Sequence, residues 1–326
     1  MWIFLVLLSF LAYSFSSIFE KKGASIHEDH TSIKMVIWIG FFWGLVALGL
    51  TILGLRETSS LMVEMVAETP AILASPIFFA LALLFNFFAF KLIPLSIASP
   101  ICNTEGVFEF IGVIVLFFIL GKSGELEESL SGWKFILIVL ILLLTIILTS
   151  IRNKNENQES SRALARGRFL IKNGHFAIIG VCSAFLFAIF DAASSLVDIY
   201  FLGELGNDAV IKSMDYLYAQ SMVYFCISVV LYFFLWFLEK KPYNPFQKHE
   251  RSRILGAGLD TVATVTWMLA VALNQIYTNI IISTYCIMTL ILSRILLKEK
   301  FGRKETTLII AIIISVVSFL TIEELL

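Results

Sequence analysis

The chain has 326 residues, 59% of them hydrophobic and only 15% charged, against ~25% charged in an average soluble domain. Its mean hydropathy is +0.90, and a protein of this size has no interior able to hide so much apolar surface from water, which excludes an ordinary soluble fold. The net charge of −1 offers no basic field and excludes nucleic acid as a partner; the partner this composition fits is a lipid bilayer.

A membrane-spanning helix needs ~20 predominantly apolar residues. Such runs occur near 1–19, 33–54, 71–90, 93–120 and 133–150, and, after a polar stretch, near 176–200, 215–238, 254–273, 276–297 and 306–322. Inside hydrocarbon every backbone N–H and C=O must be satisfied without water, so the runs predict helices. The expected fold is an all-α polytopic membrane protein of about ten transmembrane helices.

The opening Met1-Trp2-Ile3-Phe4-Leu5-Val6 has no basic residues ahead of its apolar run and reads as a first span rather than a leader. In the second span, Gly40-Phe41-Phe42-Trp43-Gly44 is a G-x-x-x-G pattern that permits close helix approach. Pro94 and Pro100 open the fourth span. Each lacks a backbone donor, which predicts a kink and makes them gate candidates.

The polar stretch between 152 and 172 divides the spans five and five. The expected organisation is a first five-helix repeat over 1–150, a basic polar linker over 151–175, and a second five-helix repeat over 176–326. An odd number of spans per half forces the halves to be inverted, the usual build of secondary transporters. Setting Ser99-Pro100-Ile101-Cys102 over Ser283-Thr284-Tyr285-Cys286 aligns them at an offset of 184. With both halves in one chain, an oligomer is not required to complete a pathway. Of the 24 Lys and Arg, 20 fall in odd-numbered loops and 4 in even ones, which puts the odd-numbered loops in the cytoplasm and both termini outside.

Four cysteines, Cys102, Cys182, Cys226 and Cys286, lie in apolar runs without metal-ligand spacing and read as buried packing residues. The four histidines, His27, His30, His175 and His249, lie between spans, so neither zinc nor Ser–His chemistry is expected at membrane depth. No metal, cofactor or catalytic residue is expected.

An ionisable side chain inside a span costs ~2.5–3.5 kcal/mol on insertion scales and therefore faces the bundle or a cavity. Glu105 lies mid-span in Cys102-Asn103-Thr104-Glu105-Gly106, with Glu109 one turn on. Two carboxylates this close in a low dielectric do not both ionise readily, which suits a proton-coupling or cation site. Asp191 in the sixth span and Asp260 in the eighth are further cavity candidates, although Asp260 is near enough to Arg251 and Arg253 to anchor to them instead. Asp198 is expected near the end of its span, in solvent. Asn86, Asn103 and Asn274 are candidates for hydrogen bonds to a substrate, or for interhelical bonds worth under ~2 kcal/mol each. Trp267 and Tyr285 are candidates for the cavity wall. No Lys or Arg lies deep in a span, so neutral or cationic cargo fits better than strongly anionic cargo. Without a Gly-Lys phosphate loop, ATP-driven transport is not indicated.

The segment Ser293-Arg294-Ile295-Leu296-Leu297-Lys298-Glu299-Lys300-Phe301-Gly302, followed by a last apolar run, resembles the end of an EamA-type half in the drug/metabolite transporter superfamily. Leu120-Gly121-Lys122-Ser123-Gly124-Glu125 echoes that turn in the first half, and Pro94-Leu95-Ser96-Ile97-Ala98-Ser99-Pro100 resembles the family's third-to-fourth span link. The resemblance implies a ten-helix permease for small metabolites, built as two inverted halves around a central cavity. Two features depart from the family pattern: Leu297 stands where the turn has Gly, and the charge count places the termini outside rather than in the cytoplasm.

Two other readings compete. In a structural or receptor protein the buried acids would serve helix packing alone. An intramembrane aspartyl protease would use Asp191 and Asp260 as a catalytic pair, but Asp191 follows Phe190 rather than Tyr. The run Gly256-Ala257-Gly258-Leu259-Asp260 is also one residue too long, and no Pro-Ala-Leu occurs. The expectation is a secondary active transporter moving a small neutral or cationic metabolite or drug by alternating access, with protons as coupling ion through Glu105.

Overall fold

Hydrocarbon leaves a backbone no partner but itself, and the chain follows that constraint. The computed structural model describes residues 1–24, 30–54, 73–93, 104–119, 174–203, 209–244, 250–274, 284–296 and 302–325, with scattered positions between them. These residues form helices and the turns at their ends, and contain no strand. The helices are α1 (Trp2–Gly23), α2 (Thr31–Ile52), α3 (Ala74–Leu92), α4 (Glu105–Ile119), α5 (Gly174–Gly203), α6 (Ala209–Glu239), α7 (Arg251–Leu273), α8 (Tyr285–Leu296) and α9 (Arg303–Leu325). Six of them, α1, α2, α3, α5, α6 and α7, are long and apolar enough to cross a membrane. Large apolar side chains such as Phe4, Leu48, Phe118, Ile178 and Phe237 project from the bundle uncovered, which is compatible with a multi-pass membrane protein.

Between helices in lipid, association rests on close packing of small residues and on hydrogen bonds rather than on water exclusion. The α1–α7 contact shows both. Ser9 Oγ donates to Ala263 O at 2.8 Å, and Ser16 Oγ to Gly256 O at 2.9 Å. A Cβ at Gly256 would lie 2.9 Å from Glu20 Cγ. The α3–α5 contact is built alike: Ser194 Oγ donates to Ser75 O at 3.0 Å and lies 3.0 Å from Ser75 Oγ. At the α2–α6 crossing Trp43 stacks on Tyr224 with ring centroids 4.8 Å apart. A Cβ on Gly40 would fall 2.3 Å from Ser228 Cβ, so the G-x-x-x-G pattern marks a true helix crossing.

The helix contacts follow an internal order. Beside these three pairings, α4 lies on α5 and α8 on α1, while α7 lies on α2 and α3 on α6. Neighbours α2 and α3 touch, as do α6 and α7. Exchanging α1, α2, α3 and α4 for α5, α6, α7 and α8 turns this set of contacts into itself.

At one end of the bundle, polar side chains tie five helices together. Arg253 is 1% exposed and Glu250 is 0% exposed; Arg253 Nη1 meets Glu250 Oε1 at 2.6 Å, and Arg253 Nε donates to Gly23 O at 3.1 Å. The Tyr243 hydroxyl donates to Glu250 Oε2 at 2.6 Å and accepts from Trp38 Nε1 at 3.1 Å. Burial first, then the bond to Glu250, pushes the Tyr243 hydroxyl well above the ordinary tyrosine value. Lys34 Nζ meets Glu239 Oε1 at 2.9 Å, and Lys21 Nζ donates to Phe90 O and Ile93 O. The ends of α1, α3 and α6 and the starts of α2 and α7 therefore lie together.

Among the described residues the predicted spans match helices except in two places. The fourth and ninth, expected over 93–120 and 276–297, are each interrupted. Residues 98, 101 and 102 are helical, Thr104 is a turn residue, and α4 starts at Glu105; residues 278, 281 and 282 are helical, Thr284 is a turn residue, and α8 starts at Tyr285. The cause is local. Thr104 directs its N–H at 3.0 Å and its Oγ1 at 2.7 Å to the carbonyl of Ile101, and Thr284 does the same toward Ile281 at 3.1 and 2.7 Å. A Thr hydroxyl taking the i−3 carbonyl competes with the helical ladder. This shared geometry relates the two sites by 180 residues, from 104 to 284, rather than by the offset of 184 drawn from the cysteines.

The fifth predicted span is described only at seven positions between 136 and 147, all helical. Pro94, Pro100 and Asn103, together with 151–173 of the linker, lie outside the described residues. Of the cysteines, Cys102 is buried as expected, whereas Cys182 and Cys226 are exposed. In apolar surroundings a thiol is apolar enough to sit on an outer helix face.

Candidate functional site

The two interrupted helices begin again at the same place, the wall of a central cavity lined by α1, α3, α4, α5, α6, α7 and α8. It holds about 730 Å³ of space free of protein atoms, part of it open to the outside.

Glu105, the first residue of α4, and Tyr285, the first of α8, both line it. Glu105 occupies the positive end of a helix dipole, which favours negative charge. Opposite, Asp191 of α5 is hydrogen-bonded to Glu105. A bond between two carboxyl groups needs a proton on one of them, because a carboxylate only accepts. Glu109, one turn along α4, is 8% exposed and takes a hydrogen bond from Ser195.

Asp260 enters from α7. It is 5% exposed, and its Oδ2 has no hydrogen-bond partner. The alternative that it anchors to Arg251 or Arg253 does not hold for Arg253, whose guanidinium is taken by Glu250 and Gly23. Asn86 and Trp267 line the cavity as expected. Asn86 Oδ1 lies 3.5 Å from Cys102 Sγ. Asn274 does not line it: the residue closes the C-terminus of α7 in extended conformation, and its carbonyl accepts from Thr278 Oγ1 at 2.6 Å.

Two further carboxyls belong to the site. Asp198, expected in solvent, is 2% exposed. It accepts from the Tyr216 hydroxyl and, at 3.4 Å, from Gln220 Nε2. The reason is that α5 and α6 run 30 and 31 residues, so a position near the end of the predicted span is still enclosed. Glu20 falls just past the end predicted for the first span, but α1 continues to Gly23, and Glu20 is 3% exposed with Ser16 Oγ donating to it at 2.8 Å. Tyr13, Ser16 and Ser17 also line the cavity. A sequence signal for them exists in the run of small polar residues Ser14, Ser16 and Ser17 inside an apolar helix.

Six carboxyls thus face one enclosure, and no Lys, Arg or His is among the described residues that line it. Aromatic rings fill the spaces between them: Tyr13 and Tyr285 lie 5.4 Å apart, and Phe79 meets Tyr224 edge-on at 5.6 Å. Among the described residues no three His, Cys, Asp or Glu are gathered closely enough to hold one metal ion.

No family model matches the chain, and no curated protein matches it. A solved structure, described only as the crystal structure of a protein, is similar over 99% of this chain and 98% of that one, with a TM-score of 0.60 and 13% identity. At that identity the likeness shows the fold alone: the architecture is one already seen in a crystal, carried by a very different sequence.

Proposed function

We propose that this chain is a secondary carrier moving a small neutral or cationic metabolite or drug by alternating access between two inverted five-helix halves. The observation that carries the reading is the pair of interrupted helices whose restart points, Glu105 and Tyr285, face one enclosed cavity. Discontinuous helices at a repeat interface are how such carriers present charged and polar groups to cargo at mid-membrane. The contact exchange between α1–α4 and α5–α8 supports the repeat. With the helical positions of 136–147 as a fifth span and α9 as a tenth, each half has an odd number and must be inverted. The EamA-type turn segments point to the drug/metabolite transporters.

The clustering of Lys21, Lys34 and Arg253 at one end of the bundle supports a cytoplasmic face there. For the cavity to open on that side, the Lys34–Glu239 pair and the Lys21 bonds to the end of α3 have to part.

Proton coupling through the Glu105–Asp191 pair follows from the chemistry of a shared proton: an arriving cation displaces it, and its return releases the cation. The other titratable groups facing the pair are Glu20, Glu109, Asp198, Asp260, Tyr13, Tyr224 and Tyr285. The test is transport into proteoliposomes across a pH gradient. Glu105→Gln keeps a hydrogen bond to Asp191 but carries no exchangeable charge, and the expected outcome is transport that no longer follows the gradient. A mutant with the wild-type pH dependence refutes the coupling role.

A further inference from the structure

Resting on the carrier reading, the geometry points to an oligoamine as cargo: a slender chain bearing two or more ammonium groups separated by short polymethylene links. Six carboxyls without a lining cation exceed what one positive charge neutralises. Glu105 and Asp191 face each other as a hydrogen-bonded pair. Glu20 and Asp198 have hydroxyl donors from Ser16 and Tyr216. Asp260 Oδ2, buried at the cavity wall, has no hydrogen-bond partner. A buried acceptor left unsatisfied is costly, and an ammonium group supplies both the missing donor and the opposite charge.

The spacing argues against a metal ion, because the acids are strung out along the helices and no three are gathered on one point among the described residues. Glu105 and Glu109 are separated by about 6 Å of helix rise and Asp191 and Asp198 by about 10 Å. Charges fixed at separate stations suit a molecule whose own charges are spaced by flexible links. The Tyr13 and Tyr285 rings offer faces for the intervening methylenes and for ammonium groups.

The test uses the full chain in zwitterionic-lipid vesicles, with labelled spermidine, putrescine, butylamine, alanine and Mg²⁺ as separate probes, and melting of the detergent-purified protein with each. The expected result is uptake of spermidine at least tenfold above butylamine and Mg²⁺. Spermidine should also raise the melting midpoint of the wild type but not of Asp260→Asn, which loses uptake while staying folded. If Asp260→Asn does not fold, Glu20→Gln takes its place in the same comparison. Uptake of butylamine, alanine or Mg²⁺ equal to or above that of spermidine overturns the oligoamine assignment and leaves the carrier reading standing. Wild-type spermidine uptake by a folded Asp260→Asn also overturns it. No uptake and no melting shift with any probe overturns it together with the carrier reading.

Discussion

Gly40 allows the helix crossing at the centre of the bundle to be tested with one methyl group. An ideal Cβ on Gly40 lies 2.3 Å from Ser228 Cβ, 2.6 Å from Tyr224 O and 2.8 Å from Ser228 Oγ. Carbon atoms rest ≈ 3.5–4.0 Å apart, so Gly40→Ala drives α2 and α6 apart locally by about 1 Å. The side chain of Ser228 has nowhere else to put its Cβ, and Tyr224 O is backbone. Overpacking of this kind costs ~1–3 kcal/mol, and the upper part of that range applies because two of the three obstacles cannot rotate away. The separation also disturbs the stack of Trp43 on Tyr224, which lines the cavity. Gly49 lies on the same helix with nothing within 4 Å of its Cβ, so Gly49→Ala gains up to ~1 kcal/mol of helix propensity. The two variants should therefore differ by roughly 2–4 kcal/mol in unfolding from mixed micelles. Adding Ser228→Gly to Gly40→Ala removes two of the three clashes and should recover part of the loss. Equal stability of Gly40→Ala and Gly49→Ala refutes the close crossing.

Other consequences are as direct. Glu250→Gln leaves the guanidinium of Arg253, 1% exposed, without its anion and should cost ~3–5 kcal/mol in the same unfolding measurement, with Arg253→Met added to Glu250→Gln restoring most of it. Ser194→Ala removes both contacts with Ser75 and should cost under ~2 kcal/mol, as interhelical hydrogen bonds in membranes do; a larger loss would mean that Ser194 does more than join α3 to α5.

Composition and hydropathy run decide whether a segment lies in water or hydrocarbon, and hydrocarbon permits a backbone little besides the helix. That is why the positions of α1, α2, α3, α5, α6 and α7 are legible in the apolar runs alone, and why Gly40 and Gly44 mark a close crossing. The cost of burying a carboxylate likewise makes Glu105, Glu109, Asp191 and Asp260 legible as cavity residues. What a linear pattern does not encode is where a helix ends and which residues meet across the bundle. Glu20 and Asp198 look like span-end residues because hydropathy fades gradually, whereas burial depends on the neighbours: the long α5 and α6 enclose Asp198, and Gly256 of α7 lies against Glu20. The breaks at Thr104 and Thr284, where hydroxyls bond the Ile101 and Ile281 carbonyls, lie inside runs apolar enough to read as spans. The pairing of Asp191 with Glu105, and the bare oxygen of Asp260 at the same cavity, exist only because α4, α5 and α7 converge. The linear order of residues names the charges; packing at atomic distance decides which of them meet.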